Sequence, residues 1–383
     1  MKRRDLISSM AAATTVGLAA TATGASASEA SEHAQAHAEA HTEAKANPST
    51  TGARNLITDV AGLKVGNAQD TDVKTGVTVI IPDKPAVAAV DVRGGGPATR
   101  ETDALSPENL VQTVDGIVLS GGSVYGMASA DGVCAWMGAR NRGFSMGAAP
   151  GVPPSPILPT ACLYDLANGG NKAWKETPPY RELGLKALES IGEEFALGTA
   201  GAGYGANSGG IKGGLGSASV ISKEGITVGA IVAVNSLGAA IGPGSKQFWA
   251  APFEMDNEFG GLGSDELRAG SENYGKAMQP RGNTTIAVIS TDIALTRVEL
   301  QRVAIMAQDG LARALRPVHA PFDGDVVFAL STGQREVPEG NPRSFMTLRI
   351  GALAADTLAR AIARAIFEAT ALEGSKVPAW RDL

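Results

Sequence analysis

The sequence predicts a mixed α/β (α+β) protein in which sheet is covered by helices. Three observations carry that expectation: short apolar strands recur along the chain, glycine-rich turns follow several of them, and helical signals fall between them. The body begins near Asn55. Val77, Val79 and Ile81 alternate as a half-buried strand does, and Val87 to Val92, after Pro85, reads as a second strand ending in Arg93-Gly94-Gly95-Gly96-Pro97. Gly116 to Leu119 is a further apolar strand, which Ser120-Gly121-Gly122-Ser123 turns into a helix from about Val124 to Gly138. Val228 to Val234 makes a clear strand, halted at Asn235. The C-terminal part repeats the pattern. Thr285 to Ser290 is a strand, Thr296 with Glu299 three residues on caps a helix, Val326 to Leu330 is a strand, and Leu358, Ile362 and Ile366 share one face of a last helix.

Composition narrows the function classes. The chain has 383 residues, 44% hydrophobic and 19% charged, which excludes disorder of the whole chain. Its 48 glycines and 20 prolines stay below the share that marks low-complexity chains, and no stretch reaches the roughly 18 uninterrupted apolar residues of a membrane span. A net charge of −6 argues against a protein that tracks nucleic-acid phosphates.

The first residues read as an export address. Lys2, Arg3 and Arg4 precede a run of small apolar residues from Met10 to Thr23, and Ala25-Ser26-Ala27 supplies a cleavage pattern, so residues 1–27 are expected to be removed. Arg3-Arg4-Asp5-Leu6-Ile7 favours the twin-arginine route, and with it a periplasmic or secreted location. Residues 28–52 contain almost no large apolar side chain and are expected to be a flexible linker, with His33, His37 and His41 solvated in it. Residues 53–383 then form a single domain.

That leaves His319 as the one histidine of the body, so a zinc site with two imidazoles has no ligands there, and neither metal nor cofactor is expected. Cys134 and Cys162 lie in no CxxC arrangement; one disulfide is allowed, and buried apolar filling is the simpler expectation for both. Gly201-Ala202-Gly203-Tyr204-Gly205-Ala206 formally fits a dinucleotide fingerprint, but only Glu224 is available as its acidic partner. Tight turns and close backbone approach explain the glycines better. Ser123 after a strand and before a helix has the context of an esterase nucleophile elbow, with His319 downstream as its base. Tyr125 stands where such an elbow needs glycine, so Ser123 is expected to be a helix cap.

The stretch Arg281-Gly282-Asn283-Thr284-Thr285-Ile286-Ala287-Val288-Ile289 resembles the self-cleavage junction of the L-aminopeptidase/D-esterase family, which includes the β-peptidyl aminopeptidases and the endo-type nylon-oligomer hydrolases. Arg93 to Thr102, Leu119 to Ser123, Asn168 to Lys172, Lys212 to Gly216 and Asp323-Gly324-Asp325 resemble further signatures of that family in the same order, over about residues 53 to 372. The resemblance implies a four-layer αββα sandwich like that of N-terminal-nucleophile hydrolases, made as a precursor that cuts itself between Asn283 and Thr284 into chains 28–283 and 284–383. Elementary chemistry agrees. A threonine hydroxyl needs a base, and cleavage supplies one by freeing the α-amino group of Thr284, whose ordinary pKa is about 7.7–8.0.

The resemblance further implies that Asp323 and Asp325 orient and polarise Thr284, that Lys212 stabilises charge near it, and that Tyr164 and Asn235 offer a hydroxyl and an amide to the developing oxyanion. Threonine with two aspartates resembles the nylon-oligomer hydrolases rather than the serine β-aminopeptidases. No acidic residue precedes Asp165 in Ile157 to Tyr164 to meet a substrate amine. The expected activity is amide hydrolysis of small peptides, amino-acid amides or esters through an acyl-enzyme on Thr284, with 6-aminohexanoate oligomers as the alternative substrate. The family also implies a homotetramer of cleaved heterodimers. Readings of another class are a periplasmic binding protein that stays uncut and an esterase using Ser123.

Overall fold

The computed structural model describes residues 49–147, 150–268 and 282–383. The export leader and most of the linker expected before the body lie outside them. Thr50 already pairs with Ile221 in a backbone bridge, and Gly52 donates its N–H to Ser219 Oγ at 3.1 Å, so the body starts before the expected position 53.

Two sheets form. The smaller runs β1 (Leu63–Asp70), β2 (Thr75–Pro82), β6 (Ile117–Ser120), β7 (Thr160–Cys162), β4 (Thr99–Arg100). The larger runs β10 (Gly214–Ile221), β11 (Thr227–Asn235), β12 (Thr284–Ile293), β13 (Val326–Arg335), β3 (Ala86–Val92), β5 (Thr113–Val114). A short hairpin pairs β8 (Asn207–Ser208) with β9 (Ile211–Lys212).

Side-chain alternation along these strands builds the layers. Ile231, Ala233, Ile286, Val288, Val326 and Phe328 of the larger sheet share one buried core with Val65, Ile80, Ile117 and Leu119 of the smaller. The intervening residues Val232, Val234, Ala287 and Ile289 point the other way, into a core with Leu300, Val303 and Ala307 of helix α3 (Arg297–Ala314) and Ile350, Leu358 and Ile362 of helix α4 (Arg343–Phe367). The outer face of the smaller sheet, with Val77, Val79 and Val118, packs on Val133 and Met137 of helix α1 (Ala128–Gly138) and Leu183 and Ala187 of helix α2 (Tyr180–Glu189). Helix, sheet, sheet and helix therefore stack as the expected four-layer αββα sandwich.

Several elements differ from their sequence reading. Strand β2 is buried along its whole length, because its sheet is covered on both faces, and is not half-buried. The turn after β6 first makes a 3-10 segment, Ser123–Met127, and only then α1; Ser123 caps nothing, since Gly122 occupies the N-cap position. Cys162 is buried as expected, whereas Cys134 is half-buried, and both are free thiols. At α3 the expected capping box is present, with Thr296 Oγ1 accepting from the Glu299 N–H.

Candidate active site

The antiparallel pairing of β12 with β11 sets Thr284, the first residue of β12, directly opposite Asn235, the last residue of β11. The parallel pairing of β12 with β13 joins Ile286 to Val326, and the same register carries down to a bridge between Asn283 and Asp323. One sheet end therefore gathers Asn283, Thr284, Asn235, Asp323 and Asp325, all at strand termini or one to three residues beyond. Thr284 shares the face of Ile286 and Val288, which looks toward the smaller sheet.

Thr284 is buried, and its Oγ1 hydrogen-bonds to the carbonyl oxygen of Asn283. The Gly324 N–H donates to that same carbonyl oxygen at 2.9 Å. The carbonyl preceding the threonine is thus polarised by a backbone donor fixed in the parallel ladder, the arrangement that stabilises an oxyanion if the carbon is attacked. Only glycine fits between the two acidic residues: a Cβ on Gly324 would stand 2.7 Å from Thr284 Oγ1 and 2.8 Å from the Gly96 carbonyl. The Arg93 to Gly96 run packs against this turn, with Gly96 N–H donating to Asp323 O at 2.8 Å and Arg93 N–H to Asp325 O at 3.0 Å.

The two aspartates hold different partners. Asp323 accepts from the Leu237 and Ala320 amides at 3.3 and 2.9 Å. Burial first, and Asp325 second, push its carboxyl up to about 6. Asp325 Oδ1 accepts from the Thr285 N–H at 2.9 Å, which ties it to the strand that starts at the threonine. Its Oδ2 receives the backbone N–H of His319 at 3.1 Å and faces His319 Nδ1 at 2.9 Å. His319 is the site neighbour that sequence reasoning missed as such. Its only signal was its position six residues before Asp325, and it had been weighed solely as a partner for Ser123. Ser123 instead lies after β6 with φ 52°, its N–H donating to Leu163 O.

Asn235 bridges the two sheets, its Nδ2 donating to Tyr164 O at 2.9 Å and lying 3.4 Å from Gly282 O, while its Oδ1 accepts from the Asn207 N–H at 2.9 Å. Tyr164 reaches the junction by its ring, which lies against Gly282: a Cβ there would stand 2.7 Å from Tyr164 Cγ. Its hydroxyl has no hydrogen-bond partner among the described residues. Lys212 is fully buried in the β8–β9 hairpin, paired across it with Asn207. Its Nζ donates to the carbonyls of Gly203, Ala206 and Gly213 at 3.2, 2.9 and 2.8 Å, and burial lowers its pKa to about 7. Among the described residues it makes no hydrogen bond to Thr284, so its link to the nucleophile runs through Asn207 and Asn235. Asp165, next to Tyr164, is spent inside the fold, accepting from Thr75 Oγ1 at 2.6 Å and Gly122 N–H at 2.8 Å. The glycine-rich stretch that formally fitted a dinucleotide loop uses its amides internally, Ala202 N–H donating to Thr78 Oγ1 at 3.0 Å.

A threonine heading an inner strand of an αββα sandwich, beside a buried acidic pair, defines the class of N-terminal-nucleophile-fold hydrolases. Residues 55–378 match peptidase family S58, and the chain belongs to that family. A Mycobacterium tuberculosis protein named an uncharacterized aminopeptidase is 40% identical over 350 residues, covering 86% of this chain and 98% of that one. A 6-aminohexanoate-oligomer endohydrolase of Kocuria sp. is 27% identical over 344 residues, covering 82% and 87%. Among solved structures, the L-aminopeptidase D-Ala-esterase/amidase of Ochrobactrum anthropi, described as a variant of the Ntn hydrolase fold, superposes with a TM-score of 0.62 at 22% identity over 87% of this chain and 91% of that one. A Burkholderia sp. beta-aminopeptidase superposes with a TM-score of 0.63 at 22% identity, over 87% and 92%. The protein is a hydrolase of peptide bonds.

Proposed function

We propose that the chain is a precursor that cuts itself at Asn283–Thr284 and then hydrolyses amide bonds of small peptides, amino-acid amides or esters through an acyl-enzyme on Thr284. The observation that carries this reading is the polarised carbonyl: Asn283 C=O receives the Gly324 N–H while Thr284 Oγ1 lies against it. In the first step Thr284 Oγ bonds to the Asn283 carbonyl carbon, the peptide C–N bond breaks, and the proton passes to the departing nitrogen. Water then hydrolyses the ester, leaving an Asn283 carboxylate and a free Thr284 amine. That amine becomes the base for the same hydroxyl when a substrate amide arrives.

Asp323 and Asp325 orient the nucleophile, Asn235 supplies a side-chain amide, and Lys212 holds the loop that carries Asn207 beneath it. The endohydrolase relative and the pairing of threonine with two aspartates support 6-aminohexanoate oligomers as the alternative substrate. The same reading has residues 1–27 direct export, 28–283 and 284–383 persist as the two mature chains, and cleaved heterodimers assemble as a homotetramer. The test is the Thr284→Ala protein beside the wild type, by intact mass and denaturing gel. The wild type is expected as two fragments meeting at Asn283/Thr284. The variant is expected as one chain without amidase activity, and full hydrolysis by it would sink the reading.

A further inference from the structure

Asp325 is held from two sides, and only one of them belongs to a strand. Its Oδ1 accepts the Thr285 N–H at 2.9 Å, one peptide beyond the nucleophile, so the direction of this carboxylate and the head of β12 are linked. Its Oδ2 takes two donors from a single residue: the His319 backbone N–H at 3.1 Å and the His319 ring, whose Nδ1 lies 2.9 Å away. A carboxylate only accepts, so with Asp325 ionised the proton of this contact sits on Nδ1, in the neutral imidazole as in the charged one. The backbone at His319 is shaped for the contact. Its φ of 54° lies in the left-handed region, which few residues other than glycine, asparagine, aspartate and histidine adopt readily. With that turn the His319 N–H meets Asp325 and the next N–H, that of Ala320, meets Asp323 Oδ2 at 2.9 Å, so two successive amides hold the two acids as an anion-binding backbone concavity does. The backbone part of this clamp needs no imidazole. The ring adds the third donor, and nothing in the reaction as written so far uses it.

Resting on the reading of Thr284 as nucleophile, we propose that His319 is a positioning residue of this site: its Nδ1–H fixes the Asp325 carboxylate, which through the Thr285 N–H fixes the head of β12 and with it the Thr284 hydroxyl against the carbonyl it attacks. Among the described residues His319 makes no hydrogen bond to Thr284 or Asn283, so it acts through Asp325 and takes no proton in the reaction. A nucleophile is only as precisely placed as the groups that lock its neighbours, and a charge-assisted hydrogen bond to a buried carboxylate is a strong lock. Thr285, His319, Asp323 and Asp325 all lie downstream of the Asn283–Thr284 bond. Cutting that bond would remove no member of the clamp, so the same arrangement serves self-cleavage and later turnover.

The test is the rate of self-cleavage of the full chain made in a cell-free system and followed by denaturing gel, which needs no choice of substrate. His319→Gly keeps the left-handed turn and its amides but deletes the ring donor. His319→Asn also tolerates the turn, and it puts a side-chain N–H the same number of bonds from the backbone without the charge of an imidazolium. His319→Gly is expected to cut at least about tenfold more slowly than the wild type, and His319→Asn to return to within about threefold of it. Full speed in His319→Gly, or a His319→Asn chain as slow as the glycine variant, would overturn the assignment. Should circular dichroism show His319→Gly unfolded, His319→Asp takes its place, because it matches asparagine in shape and exchanges the donor for an acceptor; equal rates in those two variants would then be the overturning result. A wild-type chain that never cuts defeats the nucleophile reading beneath the proposal, whereas cutting that depends on Thr284 and not on His319 defeats only the part given to His319.

Discussion

At the scale of single residues, the site works by holding acidic groups where water cannot reach them. Asp323 is buried beside a second carboxyl, and both causes favour its neutral form, so its carboxyl titrates near 6 and not in the ordinary range around 4. The sign for activity follows. In the proposed mechanism Asp323 acts on Thr284 as a carboxylate; as pH falls through about 6 it takes up a proton and that charge disappears. The pH profile of kcat/KM for the mature enzyme is therefore expected to carry an acid limb near pH 6, falling about tenfold per unit below it. In Asp325→Asn the like charge is gone while burial remains, so the limb of the residual activity should move to lower pH. A limb that stays in place would remove Asp323 from the titration.

At the scale of elements, what the sequence made legible was the set of strands whose apolar side chains carry the pattern. Val228 to Val234 and Thr285 to Ser290 lie inside β11 and β12, and Val326 to Leu330 lies inside β13. Thr284 was readable because the stretch Arg281 to Ile289 resembles the self-cleavage junction of a known family; heading a strand next to an asparagine would not by itself have marked it. Strand β10 was not legible, although it lies beside β11, because its first residues are glycine and leucine alternating. The reason is contact with α4: a Cβ on Gly216 would stand 1.9 Å from Ala361 O, so helix and strand backbones meet where an apolar signal would otherwise be. His319 was equally silent, since its role depends on a turn that brings its ring to Asp325.

The β8–β9 hairpin shows the same limit for Lys212. Sequence resemblance assigns it to charge stabilisation, while its three carbonyl partners make it the clamp of the 203–213 loop. Lys212→Met keeps the stem but takes the donor from Gly213 O, while Gly203 O and Ala206 O keep the N–H groups of Ala206 and Gly213 at 3.2 and 3.0 Å; a buried carbonyl left unpaired costs about 1–3 kcal/mol. A loss of roughly that size in urea unfolding is expected, together with slowed self-cleavage because Asn207 and Asn235 lose their support. An unchanged midpoint with abolished cleavage would return Lys212 to a direct catalytic part.

At the scale of the whole molecule, the proposed cut at Asn283–Thr284 would divide the chain without dividing the fold. β12 of the downstream piece would remain paired with β11 of the upstream piece, and β13 pairs on its far side with β3, again upstream. The inner core draws Ile286, Val288 and Phe328 from one piece and Val65, Ile80 and Ile231 from the other. Helix α4 adds a buried ionic tie. Arg360 pairs with both carboxylate oxygens of Glu258, and its guanidinium also donates to Ser219 O at 2.8 Å and Asn55 Oδ1 at 3.0 Å. All of these partners lie upstream of the cut. Removing one member of a buried pair strands the other charge, which costs about 3–5 kcal/mol. In Glu258→Ala the Arg360 guanidinium keeps only its two neutral acceptors, so the variant should unfold at clearly lower urea and its two fragments should separate on size-exclusion chromatography at concentrations of urea where the wild-type fragments still co-elute. Wild-type fragments that part in buffer alone would show that β11 and β12 do not hold the cleaved chain together.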